Sequence, residues 1–289
     1  SDSRTAALLS ALSGLCAQLP SFQDPGHVSA AAWAKLELLL LLASATAEAI
    51  AGTVADAGAR PPPEPLPQLL ATLPSLPLSA APSPWASLLA AGAAELVVSL
   101  DPWINASLLP RRSYTELLAF AFRLAEAPSA AEALGVVVSN FAPQIAAEEA
   151  LAEECLGRLR GLVLSTMPIR ARERVVRSAL GPLLGRLEAR QRGAVEALAS
   201  ALSAQGPASA RLLCHLFAAV DPVAPELPLL WLSAFWPCLE AALAAEGAAG
   251  AACHWLTSAL SRARHRAEAK EAALRGASLL LASGSAEAL

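Results

Sequence analysis

Residues 210–243 read ARLLCHLFAAVDPVAPELPLLWLSAFWPCLEAAL, and this stretch decides the fold. Leu212, Leu213, Leu216, Phe217 and Val220 recur at i, i+1, i+4, i+5 and i+8, the stripe of one buried helix face. Pro222, Pro225 and Pro228 then forbid continuous helix, because each lacks an amide hydrogen and disfavours helix in the residue before it. From Leu229 the apolar period resumes through Trp231, Leu232, Phe235, Trp236, Leu239 and Leu243. The stretch predicts helix, a proline-punctuated connection, then a second helix. Neither helix can bury its apolar face alone.

The same arrangement recurs along the chain. Segments of helical period separated by Pro, Gly or Asp fall at about 5–19, 29–51, 66–73, 84–100, 113–126, 129–142, 148–165, 170–185, 187–203, 208–220, 227–245, 249–264 and 266–282. The composition is rich in Ala and Leu, poor in β-branched residues, and offers no useful strand alternation. Val136–Val138 lies inside a helical period set by Ala133, Leu134, Val137 and Phe141. Taken in twos, the helices give units of about 35–45 residues, the length of helix-pair repeats. The expected fold is an all-α superhelix, a HEAT- or armadillo-like solenoid of antiparallel helix pairs. A single segment of about six pairs over 1–289 is expected. Gly58–Pro67, GARPPPEPLP, reads as an extended loop between repeats, with a proline-rich ligand as the lesser alternative.

Composition removes several function classes. The formal charge of −4, with Lys only at Lys35 and Lys270, gives no bulk attraction to nucleic acid. The greasiest run places Glu37 and Glu48 eleven positions apart, too close for the roughly 20 apolar residues of a membrane span. Prolines interrupt the uncharged stretch 65–94, and a soluble chain is expected. It starts at Ser1 with no basic-then-apolar leader, as a mature, trimmed or fragmentary chain would. Five scattered cysteines (Cys16, Cys155, Cys214, Cys238 and Cys253) fit reduced thiols better than a disulfide framework. Asn105–Ser107 matches a glycosylation triplet, which the reduced-thiol reading opposes.

Catalytic and metal motifs are not found: there is no phosphate loop, nucleophile elbow or zinc-protease motif. Neither an enzyme nor a cofactor is expected. Cys214-His215, Cys238 and Cys253-His254 invite a metal reading, but adjacent helical residues point about 100° apart, so each doublet supplies at most one ligand. The paired glutamates 148–149 and 153–154 suit an exposed helix start. Trp85 and Trp103, beside Pro or Asp, are expected to be partly exposed and available to a partner.

The charged feature that stands out is arginine. Nine of them lie between Arg158 and Arg192. In the helix at 170–185, Arg170, Arg174 and Arg177 fall at i, i+4 and i+7, and Arg186 and Arg190 continue the ridge. Val175, Val176, Ala179, Leu180, Leu183 and Leu184 cover the other face. Guanidinium forks pair with carboxylate or phosphate, so the ridge is a candidate surface for an acidic or phosphorylated partner segment. The competing reading is a solvated face of weak i, i+4 pairs such as Glu154–Arg158, Glu188–Arg192 and Arg192–Glu196.

The order of elements resembles the importin-β (karyopherin) superfamily of nuclear transport receptors, nearest the branch of transportin-SR and importin-thirteen. Four stretches carry the resemblance in series: WAKLELLLLLASATAEAI, then LPQLLATLPSLPLSAAPSPWASLLAAGAAELVVSLDPWINASLLPRRSYTELLAFAF, then AEALGVVVSNFAPQIA, then LLCHLFAAVDP with FWPCLEAALA. They span about residues 25–265. The resemblance implies a central fragment of a longer receptor that binds protein cargo on its helical array. Ran would act through repeats outside this chain, pore Phe-Gly repeats would dock between outer helices, and the receptor would move between nucleus and cytoplasm. One departure matters. The helix that grips phosphorylated Arg-Ser cargo in transportin-SR corresponds to about 248–265, where Ala251, Trp255, Ser258, Ser261 and His265 hold no Arg. Arg262, Arg264 and Arg266 near its end fall on different faces, so Arg-Ser cargo is not assigned. The alternative functions are a non-transport HEAT-repeat scaffold subunit and, disfavoured by net acidity, a helical-repeat RNA binder.

Overall fold

A computed structural model describes residues 2–17, 28–51, 63–76, 78–104, 111–125, 130–187, 192–205, 209–220 and 278. Every regular element among them is helical, and no strand occurs among them. The expected helices at 227–245, 249–264 and 266–282 lie outside the described residues, apart from Ser278. Arg190, Cys238, Cys253, His254 and the Asn105–Ser107 triplet also lie outside them. The chain divides into two compact units, Ser1–Gln144 and Ile145–Leu289.

The first unit begins with α1 (Asp2–Cys16) and α2 (Ala30–Ala51). Then come α3 (Leu66–Thr72), short 3-10 turns, α4 (Trp85–Ser99), α5 (Arg111–Ala125) and most of α6 (Ala131–Ala147). Pro67 falls in the first turn of α3, where a missing N–H costs nothing because that group has no helical partner. The main packing unit is α2 against α4, with α1 on α2 and α5 on α4. Leu36, Leu39, Leu40, Ala43 and Ala47 of α2 are buried, as are Leu89, Ala93, Leu96 and Val97 of α4. Burial of each large side chain contributes about 1.5–3 kcal/mol. The two helices approach closely at Gly92, where an added Cβ would sit 3.4 Å from Leu40 Cβ.

The buried polar residues of α2 and α4 carry hydroxyls. Ser44 Oγ and Ser99 Oγ meet at 2.6 Å across the α2–α4 contact. Ser99 also reaches Glu48 Oε1 at 3.1 Å and the Glu95 carbonyl at 2.9 Å. A hydroxyl has one proton to give, so Ser99 accepts from Ser44 whenever it donates to either oxygen. Elsewhere Tyr114 and Phe141 stack with centroids 5.0 Å apart, and Asn140 Nδ2 donates to Asp101 Oδ1 at 2.7 Å. Arg123 donates to the Pro74 carbonyl at 2.8 Å and lies over the Phe120 ring.

Two sequence expectations change here. Trp103 is only 2% exposed, so it anchors the core and offers nothing to a partner; Trp85 is half-buried. The helix expected to stop at 142 continues to Ala147 through Pro143. Pro143 itself faces solvent, whereas Phe141, Ala142 and Ile145 are buried, so packing on both sides outweighs the one missing helical hydrogen bond.

The second unit holds α7 (Glu149–Leu164), α8 (Ile169–Arg174), a π turn (Val175–Leu180), α9 (Gly181–Leu187), α10 (Arg192–Ala204) and α11 (Ala210–Val220). The helix expected over 170–185 is therefore one run with a widened turn in the middle. Pro182 gives the physical reason. In a regular helix its ring clashes with the carbonyl four residues back, Ser178, and it has no N–H to offer that group. The widened turn before it moves to i→i+5 bonding, and the Gly181 N–H donates to the Val176 carbonyl. Gly181 is also where α11 comes close, because an added Cβ would lie 3.2 Å from Ala219 Cβ. α11 packs along α8, the π turn and α9, burying Leu212, Leu213, Leu216 and Phe217 against Val175, Val176, Ala179 and Leu183.

Candidate partner-binding face

The arginine ridge is built on the strand-free run from α8 into α9. Arg170, Arg174 and Arg177 are exposed, and all six apolar residues of the opposite face (Val175 to Leu184) are buried or nearly so. Arg186 is exposed on α9. Arg172 does different work. Its Nη1 donates to the Val163 carbonyl and to Gln205 Oε1, each at 3.3 Å, tying the end of α7 to the end of α10. Glu154 and Arg158 form the expected i, i+4 pair at 3.9 Å, both well exposed, and such a pair contributes little. Glu188 and the side chain of Arg192 lie outside the described residues.

The structure adds three residues to this face: Glu173 and Arg211, which the sequence did not single out, and His215, which it offered only within the Cys214-His215 doublet. Glu173 lies within the ridge sequence but turns inward and is 7% exposed. Arg211, on α11, brings its Nε 2.5 Å from Glu173 Oε1. Neither of those two atoms makes a hydrogen bond, so the contact is one of charge without alignment of the N–H on the oxygen. Arg177 and Arg170 also act on this carboxyl, after Arg211 in strength. Burial nevertheless outweighs all three guanidiniums and holds the Glu173 carboxyl above its usual range. His215, one turn beyond Arg211 on α11, is half-buried. Burial, then Arg177 and Arg211, push its imidazole down, so it is neutral near pH 7.

Two elements distant in sequence thus converge on one carboxylate. The signal for Glu173 was present, because it stands three residues after Arg170 and four before Arg177, the spacing of same-face helical neighbours. Arg211 and His215 share a face of α11 at i, i+4 but nothing local relates them to the ridge. That juxtaposition is tertiary.

A second feature of the same unit is an open groove of about 270 Å³ between α7, α9 and α10. Leu156, Leu184, Val195 and Leu198 form its apolar walls, and Glu153 and Arg160 stand along α7 beside it. Gly157 also lines the groove, and a Cβ there would meet nothing within 4 Å.

Among the described residues no group of three or more His, Cys, Asp or Glu side chains gathers as a metal site would require. None of the described helices is long and apolar enough to cross a membrane. No protein-family model, curated protein or solved structure matches this chain.

Proposed function

We propose that this chain is a central segment of an importin-β-like nuclear transport receptor, a helical solenoid that binds protein cargo under the control of Ran in the full-length protein. The observation that carries the reading is the pairing of a helix series with an exposed arginine face. The first ten helices expected from the sequence have counterparts among α1 to α11, with the largest boundary differences at the end of α6 and the start of α10. On that series Arg170, Arg174, Arg177 and Arg186 stand exposed.

Mechanistically, cargo binds through many small contacts along the array, and the arginine face supplies the charged ones. GTP-bound Ran, acting through repeats beyond this chain, changes the curvature of the array and so the affinity for cargo. Under this reading the groove beside Gly157 is the kind of shallow apolar seat that takes a phenylalanine of a pore Phe-Gly repeat. The receptor acts in both nucleus and cytoplasm, without binding nucleic acid directly and without inserting into a membrane.

The test is capture of partners by the full-length protein from cell extract, with and without GTP-bound Ran. The reading expects Ran to displace or recruit at least one partner. A partner set that ignores Ran replaces the receptor with a HEAT-repeat scaffold subunit.

A further inference from the structure

Glu173 sits among more positive charge than it can neutralise. Arg170 and Arg177 flank it along its own helix at the spacings that bring helical side chains within about 5–6 Å at Cβ. Arg211 reaches it from α11 at 2.5 Å, and His215 follows one turn on. Three guanidinium charges against one carboxylate leave a surplus of two. Glu173 Oε1 and Arg211 Nε touch without a hydrogen bond between them. Arg170 and Arg177 are exposed, and the Arg211 side chain is 40% exposed, so an incoming group can reach all three.

We propose that Arg170, Arg177, Arg211 and His215 form a binding site for a phosphomonoester dianion, with Glu173 as a resident anion that the ligand displaces. Charge selects the ligand class. A carboxylate from a partner exchanges one monoanion for another and must still be desolvated, so it gains little. A phosphodiester also carries a single charge. A phosphomonoester carries about −1.5 to −2 at pH 7 with three strong acceptor oxygens. With Glu173 displaced, a dianion neutralises more of the three guanidinium charges than any monoanion can, and its three oxygens suit guanidinium forks. The neutral His215 imidazole keeps one N–H to offer. Glu173 then acts as a built-in competitor that sets a threshold against weaker anions. This inference rests on reading the arginine face as a partner surface, and it does not depend on Ran.

The experiment is calorimetric titration of the chain with four probes: inorganic phosphate, a phosphoserine pentapeptide, its unphosphorylated form, and its glutamate form. The wild type is expected to bind the two phosphate probes and neither of the others. Glu173→Gln keeps the shape and removes the competing charge, so the phosphoserine peptide is expected to bind it about tenfold tighter. Combined Arg170→Ala and Arg177→Ala, both exposed positions, are expected to abolish binding with helicity unchanged. Tighter binding of the peptide than of inorganic phosphate assigns the phosphate to a protein partner; the reverse assigns a free phosphate ligand, and either upholds the site. Binding of neither phosphate probe overturns it. So does equal binding of the glutamate peptide, or unaltered affinity in Glu173→Gln or in the double arginine variant. If Glu173→Gln does not fold, the double variant alone decides. Ran independence of partner capture leaves these results untouched, so this site and the transport reading fail separately.

Discussion

Two helix contacts, one in each compact unit of this chain, treat buried polarity in opposite ways. In the first, α2 and α4 meet over leucines and alanines, and the polar groups described between them, Ser44, Ser99 and Glu48, are hydrogen-bonded to one another. In the second, the helix run from α8 to α9 breaks its period at a π turn, and the residue just before the turn's cap is a buried carboxylate with misaligned charge partners. The first arrangement satisfies each local rule and reads as structure. The second violates two of them at adjacent positions, and such violations persist where function or a neighbouring element requires them. The difference teaches where to look for binding: not at the greasiest helix but at the one whose polar groups are badly served.

The largest effect that tests this contrast comes from the apolar unit. Trp33→Ala is expected to cost about 3–5 kcal/mol, read as a lower urea midpoint, because Trp33 is fully buried in α2. A cost below about 1 kcal/mol would mean that the α2–α4 unit is not the packed core described here.

Next come the two close approaches. Gly181→Leu is expected to destabilise by about 1–3 kcal/mol, since even its Cβ lies 3.2 Å from Ala219 Cβ. Gly92→Ala, whose Cβ would rest at ordinary contact with Leu40, is expected to change stability by less than about 1 kcal/mol in either direction. Equal effects of the two would erase the distinction between the tight α9–α11 contact and the α2–α4 one.

The polar groups themselves give a smaller pair of opposite signs. Ser99→Ala removes a hydroxyl that serves Ser44 and is expected to cost about 1 kcal/mol. Glu173→Gln is expected to be neutral or slightly stabilising at pH 7, because burial outweighs the arginines around that carboxyl. A clear loss of stability in Glu173→Gln would show that the Glu173–Arg211 pair is a structural bridge.

The pH dependence follows the same logic. Glu173 has a folded-state pKa above its unfolded value, so its contribution is full below the unfolded value and is lost as pH rises through the folded one. His215 is shifted the other way: its neutral form is favoured, and its contribution is lost as pH falls from about 6.5 through the lowered folded value. Urea unfolding at pH 4–7 is expected to show a shallower loss on acidification in His215→Gln and a steeper one in Glu173→Gln. Thiol chemistry is the mildest test. Burial first, then Glu154, against the opposing pull of Arg158, push Cys155 up to about 12. Iodoacetamide at pH 8 is therefore expected to label half-buried Cys16 much faster than Cys155, read peptide by peptide in a mass spectrum.

Much of the fold was legible because helix period and proline positions are local properties. Leu212 to Val220 and Val175 to Leu184 showed their buried faces in sequence spacing alone. Where proline met a packed helix, local rules misled: Pro143 does not end α6, and Pro182 is accommodated by widening the turn before it. Trp103 looked exposed beside Asp101 and Pro102, yet tertiary burial claims it. The ridge of Arg170, Arg174 and Arg177 was legible as an i, i+4, i+7 pattern. Arg211 and His215 were not, because only the packing of α11 on α8 brings them there.

The claim that the arginine face of the second unit is a partner surface has one direct test. Arg170→Glu, Arg174→Glu and Arg177→Glu are combined in the full-length protein, and the partners captured from cell extract are quantified against wild type by mass spectrometry. The account predicts that at least one partner is lost while the helical content stays unchanged. Retention of every partner at wild-type levels would contradict it.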